Sequence, residues 1–251
     1  MALVVVTAGV AAVVVERRAG TRPNEAQPGT PTPSPMSSPT PPDMAHEMAK
    51  LVAHLPPEST SVAARNLQTG AGFRHGTKGD HRAASIFKLN ILEALMLQRQ
   101  ASGQRLSPGE SQDATVMMVS SDNDSATRLY VDVGSAEGVR AANRTLGLTC
   151  TEPNEHYWGL SLTCAEDQVQ LLYQLESASS PLTQASRDFI VNLMRNVVAD
   201  QRWGVPVAAD PDTSYAVKNG WLRLEDGRDW VVNSVGIVTS RGQTLLIATL
   251  S

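Results

Sequence analysis

The stretch that decides the fold runs Ala84-Ser85-Ile86-Phe87-Lys88-Leu89-Asn90-Ile91-Leu92-Glu93-Ala94-Leu95-Met96-Leu97. It contains neither Gly nor Pro and carries apolar side chains on every side, which predicts a helix buried all round. Its first turn nevertheless holds Ser85 and Lys88, and a spacing of three residues places both side chains on one helix face. The pair can be a nucleophile with its base, or a helix cap followed by a lysine that reaches solvent. The motif alone leaves both open.

The composition narrows the possible partners. The chain has 251 residues and a formal net charge of −4, and no cluster of Lys and Arg recurs along it, so we do not predict a nucleic-acid partner. Two cysteines are too few for a zinc site or a disulfide scaffold, and the five histidines show no metal-ligand spacing. We therefore predict neither a metal nor another cofactor.

The first 42 residues have the composition of an export signal and a spacer. Residues 2–15 form an apolar run that suits a signal peptide or signal anchor, assigned to residues 1–18. No Lys or Arg precedes the run, so we expect this segment to be truncated at its start. Residues 19–42 are rich in Pro, Ser and Thr and predict an extended linker. This layout predicts an exported protein, extracellular or tethered to a membrane through its N-terminus.

The remaining residues, 43–251, predict one folded domain. Strand patterns occur near both ends, and helical patterns fill the region of about residues 85–200 between them. The economical fold is α/β (α+β): an antiparallel sheet of about five strands built from both chain ends, with flanking helices and an inserted all-helical domain. The cleft between the sheet and the helical domain would hold the site. The predicted strands are residues 60–67, 72–75, 215–222, 229–239 and 244–250.

Three polar motifs follow one another in this framework. They are Ser85-x-x-Lys88 on the buried helix, Ser121-Asp122-Asn123 between two helices, and Lys218-Asn219-Gly220 on the first strand after the helical region. The set resembles the S-x-x-K, S-D-N and K-T-G motifs of the class A β-lactamase and penicillin-recognising serine hydrolase family. The resemblance includes strand order and helical insertion and runs from about Met44 to Ser251.

The resemblance implies a covalent mechanism without a cofactor. Ser85 would be acylated, and Lys88 would take its proton if burial and the second ammonium of Lys218 keep Lys88 neutral. Ser121 would pass a proton to the leaving nitrogen. The substrate would be a small β-lactam or a cell-wall peptide, met by an exported domain that faces the cell wall, and we expect a monomer.

Substrate contacts follow from the same resemblance. The side chain of Asn123 would bind the substrate amide, and Asn219 and Gly220 would line the strand beside it. The backbone N–H groups of Ser85 and Trp221 would form the oxyanion hole. Arg202 is either a contact for the substrate carboxylate or an exposed loop arginine. Asp122 is expected to have a structural role in its loop.

The sequence also departs from the family pattern. Asn219 replaces the usual Thr or Ser, which weakens the expectation of carboxylate recognition. Hydrolytic relatives carry a Glu in a long loop, but residues 149–163 contain only Glu152 and Glu155 and lack the E-x-x-L-N motif. Glu166 is predicted to form a capping box with Thr163 instead.

The two cysteines flank this loop. Cys150 and Cys164 either brace it as a disulfide or remain two buried thiols, and the sequence leaves both open.

Three functions therefore compete. The first is a serine hydrolase of the class A β-lactamase type that is acylated on Ser85, with uncertain deacylation. The second is a cell-wall D-Ala-D-Ala peptidase or esterase. The third is a non-catalytic envelope protein that only binds penicillin-like ligands. Intact Ser85, Lys88, Ser121 and Lys218 favour the first two, and the missing loop Glu favours the third.

Overall fold

One antiparallel sheet joins the two ends of the folded domain. The computed structural model describes residues 44–76, 79, 81–224 and 230–251, and these residues belong to one compact unit. The predicted signal segment 1–18 and the linker 19–42 lie outside the described residues. None of the described helices is both long enough and apolar enough to cross a bilayer.

The elements follow the predicted order of strands, helices and strands. The strands are β1 (Ser61–Asn66), β2 (Gly72–His75), β3 (His81–Arg82), β4 (Leu162–Thr163), β5 (Ala216–Arg223), β6 (Trp230–Ser240) and β7 (Gln243–Leu250). The helices are α1 (Met44–Val52), α2 (Phe87–Ala101), α3 (Pro108–Val119), α4 (Asn123–Asp132), α5 (Ser135–Leu146), α6 (Ala165–Glu176) and α7 (Gln184–Arg195).

The sheet has the order β2-β1-β7-β6-β5, and all its neighbours are antiparallel. The N-terminal strand β1 pairs with the C-terminal strand β7, with Ala63 opposite Ala248. The predicted five-stranded sheet built from both chain ends is therefore confirmed. Strand β5 lies at the edge of the sheet, next to the helical region.

Helix α2 runs through the main core, as its sequence predicts. Every residue from Phe87 to Leu95 is buried, and the apolar ones pack with the inner face of the sheet and with helices α3 to α7. The predicted helix start is corrected: Ala84–Ile86 forms a 3₁₀ turn, and the α-helix begins at Phe87. Ala84 has a φ of 50°, a left-handed conformation that is strained for a residue with a Cβ. Ser85 therefore sits in a tight turn rather than in a regular helix.

The two capping boxes predicted from sequence have different outcomes. Ser107 and Glu110 form both reciprocal bonds of a capping box at α3. The predicted box at α6 is wrong, because α6 begins after Cys164 without a side-chain cap. The Thr163 hydroxyl instead bonds Thr151 at 2.9 Å and accepts from Gln168 at 2.9 Å, since Thr163 belongs to strand β4.

The loop of residues 149–163 is closed by a disulfide between Cys150 and Cys164, which decides between the two alternatives for these cysteines. The Asp167 carboxylate accepts hydrogen bonds from the backbone N–H groups of Thr149 at 3.0 Å and Cys150 at 2.9 Å. At the other end of the loop, the N–H of Ala83 donates to the Ser161 carbonyl at 2.8 Å. The loop is thus attached directly to the segment that precedes Ser85.

Glu93 on α2 generates a prediction about stability. It is fully buried, neither carboxylate oxygen has a hydrogen-bond partner among the described residues, and burial raises the pKa of this carboxyl well above its usual value. The folded state therefore keeps a proton that the unfolded state releases as the pH rises above the ordinary pKa of Glu, so stability is lost with increasing pH. Glu93→Met should raise the free energy of unfolding at pH 8 by about 1–3 kcal/mol.

Denaturant unfolding of both proteins between pH 5 and pH 8 tests this prediction. The gap between wild type and Glu93→Met should widen as the pH rises, and Glu93→Gln should also remove the pH-dependent part. Parallel stability profiles for wild type and both variants would contradict a neutral buried carboxyl.

Gly220 on β5 generates a second prediction. A Cβ at this position would lie 2.6 Å from the backbone nitrogens of both Ser85 and Ile86. Gly220→Ala should therefore destabilise the domain by about 1–3 kcal/mol, because backbone cannot yield as a flexible side chain can. Gly109→Ala is the matched control, since its Cβ would meet only the Ser107 hydroxyl, at 4.0 Å. Equal thermal unfolding midpoints for the two variants would show that the strand does not press on the Ser85 turn.

Candidate active site

The three motifs meet where strand β5 passes the Ser85 turn. The half-buried side chain of Ser85 belongs to a turn that packs against Gly220, and only a residue without a Cβ permits this approach. Lys88 follows in the first turn of α2 with its side chain fully buried. Ser85 thus lies in the 3₁₀ turn just before α2, and Lys88 is the second residue of α2.

The Lys88 amine is directed at the Ser121-Asp122-Asn123 loop. Its Nζ donates to the carbonyl of Ser121 at 2.5 Å, to the Ser121 hydroxyl at 3.0 Å and to Oδ1 of Asn123 at 2.8 Å. Burial lowers the pKa of Lys88 to about 7, with the nearby Asp122 carboxylate acting in the opposite direction. A substantial neutral fraction at pH 7 lets this amine accept a proton.

Lys218 reaches the same hydroxyl from the sheet. Its Nζ donates to the Ser121 hydroxyl at 3.0 Å and to the carbonyl of Asn219 at 2.8 Å. Burial lowers the pKa of Lys218 well below its usual value, and the positive charge of Lys88 lowers it further. Ser121 itself has a φ of 59°, so the residue between the two amines is held in a left-handed conformation. The hydroxyl of Ser121 can thus pass a proton between two nitrogens.

The backbone of Trp221 faces the free edge of the sheet. The N–H and C=O of its partner Val232 are bonded to the Ser251 hydroxyl, at 2.9 and 3.1 Å, on the β7 side of β6. Trp221 and Val232 therefore form a non-hydrogen-bonded pair, and the Trp221 N–H is directed away from β6. This orientation, one residue after the contact between Gly220 and Ser85, is the one an oxyanion hole needs.

Asp122 and Asn123, the other two residues of the Ser121-Asp122-Asn123 loop, differ in role. Oδ1 of Asp122 accepts from the Ser125 N–H at 2.7 Å and caps helix α4, which is a structural role of the kind expected. Asn123 is exposed at the start of α4, and its amide oxygen is held by Lys88. The exposed position leaves the Asn123 side chain accessible to a substrate.

The predicted substrate contact through the Asn219 side chain is corrected. Side chains alternate along a strand, so Asn219 points to the outer face when Lys218 and Gly220 point inward. It is 1% exposed, and its amide donates to the carbonyls of Gln201 at 2.8 Å and Trp203 at 2.9 Å. Asn219 therefore holds the 201–203 segment against the strand and does not reach the cleft.

The side chain of Trp221 also lies on the outer face. It is 44% exposed and its ring centroid is 6.0 Å from that of Trp203. Arg202 is exposed on the same segment, and its Nε donates to the carbonyl of Val197 at 2.8 Å. A contact of Arg202 with a substrate carboxylate stays a prediction.

The loop places an indole, rather than a carboxylate, over Lys88. The ring centroid of Trp158 lies 4.9 Å from Nζ of Lys88, within cation–π distance. The sequence leaves open whether Trp158, like Tyr157 and Trp221, lines the mouth of the cleft or only packs, and the structure places its ring beside Lys88. Glu152 and Glu155, the two carboxylates of the loop, instead bond Arg140 on α5, at 2.6 and 3.1 Å.

One group among the described residues has metal-ligand atoms close together: Cys150, Cys164 and Asp167. The two sulfurs are joined in the disulfide, and the carboxylate accepts the backbone bonds described above. The group therefore braces the loop.

Comparisons with known proteins show which family the chain belongs to. Residues 97–251 match the model of the β-lactamase enzyme family, a stretch that includes Ser121 and Lys218 and begins after Ser85 and Lys88. "Putative lipoprotein LppW" of Mycobacterium tuberculosis (strain ATCC 25618 / H37Rv) is 28% identical over 197 residues, which cover 74% of this chain and 61% of that protein. The chain thus spans less than two thirds of the length of this relative.

Solved structures share the fold at low sequence identity. PBP-A has a TM-score of 0.68 at 21% identity, covering 82% of this chain and 85% of its own. A class A β-lactamase from Mycobacterium abscessus has a TM-score of 0.66 at 18% identity, with coverages of 82% and 88%. TLA-3 extended-spectrum β-lactamase has a TM-score of 0.71 at 17% identity, also with coverages of 82% and 88%. The chain belongs to the β-lactamase enzyme family and has the class A β-lactamase fold.

Proposed function

We propose that Ser85 of this chain reacts with β-lactams and with related cell-wall peptides to form an acyl-enzyme, and that the acyl group is released slowly. The observation that carries the proposal is the Ser121 hydroxyl, which lies 3.0 Å from the amines of both Lys88 and Lys218. Burial favours the neutral form of both amines, and a domain that only binds a ligand has no need for two such amines around one serine hydroxyl.

The arrangement supports the following acylation. Neutral Lys88 takes the proton of Ser85 as Oγ attacks the substrate carbonyl, and the N–H groups of Ser85 and Trp221 stabilise the oxyanion. The amide C–N bond then breaks, and the leaving nitrogen receives a proton through the Ser121 hydroxyl. The products are an ester on Ser85 and a free amine, which stays attached to the acyl group when the substrate is a β-lactam.

Release of the acyl group lacks an evident base among the described residues. The carboxylates of Glu152 and Glu155 are held by Arg140 on the protein surface, with 61% and 64% of their side chains exposed. A variant of PBP-A, which shares the fold, has been solved as an acyl-enzyme complex with penicillin G. Both observations favour a penicillin-binding type over an efficient β-lactamase. A D-Ala-D-Ala peptidase or esterase is the second candidate, since such substrates form the same ester.

The cellular setting is part of the proposal. The relative LppW carries a lipoprotein name, and residues 1–42 of this chain have the composition of an export signal and a linker. We infer that the catalytic domain acts as a monomer outside the membrane, tethered or released, where cell-wall substrates are present.

Penicillin G provides the test. Incubation at pH 7.5 should add one penicillin mass to the intact protein, and peptide mapping should place it on Ser85. Ser85→Ala should show no adduct, while Ser107→Ala, a serine in the capping box of α3, should react like wild type. The adduct should persist long after removal of free penicillin.

The other two outcomes would each favour a different function. No adduct on the folded wild-type protein would favour a non-catalytic binding domain and overturn the proposal. A transient adduct with release of product would favour a β-lactamase.

The pH dependence of acylation follows from Lys88. Because the pKa of Lys88 is lowered to about 7 by burial and only the neutral amine can accept a proton, the acylation rate constant should rise with pH and level off above about 7. Well below the pKa the rate should change by about tenfold per pH unit. Lys88→Arg should reduce acylation by about 10²- to 10⁴-fold, since a guanidinium stays protonated.

Stopped-flow acylation between pH 5 and pH 9 measures this profile. Lys50→Arg on helix α1 is the matched control and should retain the wild-type curve. A rate independent of pH over this range would exclude Lys88 as the base.

A further inference from the structure

The indole of Trp158 covers the amine of Lys88 and lies beside the turn that carries Ser85. Its ring centroid is 4.9 Å from Nζ of Lys88. The turn that contains it, Trp158–Leu160, packs beside the Ala84–Ile86 turn, because the Ala83 N–H is bonded to the Ser161 carbonyl at 2.8 Å. Because this turn and the Ala84–Ile86 turn are in contact, a ring over Lys88 is also close to the segment that carries Ser85.

Trp158 is fixed in this place from two sides. Its Nε1–H donates to the Thr127 hydroxyl of helix α4 at 3.2 Å, and the side chain is half-buried against the main core. The chain before it is shaped by Asn154, whose Oδ1 accepts from the N–H groups of His156 at 3.0 Å and Tyr157 at 2.9 Å. The disulfide closes the loop. The ring is therefore pre-positioned and does not need a substrate to bring it into the site.

An indole in this position cannot supply the chemistry of ester hydrolysis. Deacylation needs a water whose proton is removed as its oxygen attacks the acyl carbonyl, after which the ester C–O bond breaks and a proton returns to the Ser85 oxygen. The indole N–H is only a donor, and its ring surface is apolar. It occupies space that a water and its base would need.

We propose that Trp158 makes the acyl-enzyme long-lived, because its ring excludes hydrolytic water from the space between Lys88 and the 149–163 loop. The inference rests on the proposed function, because it concerns the fate of the ester on Ser85. It adds a cause: slow deacylation follows from an indole that fills the water site as well as from the lack of a loop carboxylate.

The test compares the lifetime of the penicillin G adduct in the full chain and three variants at position 158. Trp158→Ala should shorten the half-life of the adduct by about 3- to 10-fold, and Trp158→Glu, which adds a base in the opened space, should shorten it by more than about tenfold. Trp158→Phe keeps a ring in place and should stay within about twofold of wild type. Intact mass spectrometry after removal of free penicillin reports all four decay rates.

Two further variants separate this role from a general structural one. Trp230→Ala is the matched tryptophan control, because Trp230 is 54% exposed and lies opposite Arg223, which shares the outer face of β5 with Asn219 and Trp221. It should keep the wild-type adduct half-life. Thr127→Val removes the partner of the Trp158 N–H and should give a smaller change in the same direction as Trp158→Ala. Because Thr127 is exposed on α4, the adduct half-life of this variant can still be measured if a substitution at position 158 prevents folding.

The outcomes distinguish the inference from the proposed function. If wild type forms no adduct on Ser85, the proposed function fails and the role of Trp158 fails with it. If wild type forms a stable adduct and the Ala and Glu variants acylate but release it at the wild-type rate, only the role of Trp158 is overturned. A shorter half-life in both variants, with an unchanged Trp230→Ala control, supports the inference.

Discussion

The hydroxyl of Ser121, held between the amines of Lys88 and Lys218, is the contact on which the rest of the site depends. Lys88 comes from the buried helix α2 and Lys218 from the edge strand β5, so the shared hydroxyl joins the helical region to the sheet. Burial lowers the pKa of both amines, and the positive charge of Lys88 lowers the pKa of Lys218 further. The burial of these two side chains thus also favours their neutral forms.

The backbone around this contact is held in unusual conformations. Ala84, which directly precedes the candidate nucleophile, has a φ of 50°. Ser121, which carries the shared hydroxyl, has a φ of 59°. Gly220 allows the β5 backbone to approach the Ser85 turn more closely than any side chain would permit. Such backbone conformations persist where the surrounding packing holds them in place.

The 149–163 loop determines what the site lacks as much as what it contains. The disulfide, the Asp167 carboxylate and the Ser161 bond fix its course, while Arg140 draws both of its carboxylates to the surface. Trp158 is left facing Lys88. The loop therefore presents an apolar ring to Lys88 and neither of its two carboxylates.

The sequence by itself determined the fold and the residues of the candidate site, because both follow from local patterns. Alternating strands at the two ends, an apolar helix without Gly or Pro, and the three motifs with Ser85, Lys88, Ser121 and Lys218 are readable without coordinates. Only the tertiary structure decided the direction of Asn219, the partners of Thr163, the disulfide and the place of Trp158. Those outcomes depend on contacts between segments far apart in the chain: Asn219 with residues 201–203, Cys150 with Cys164, and Trp158 with Lys88 and Thr127. Spacing along one segment cannot specify such contacts, since they exist only when separate elements pack together.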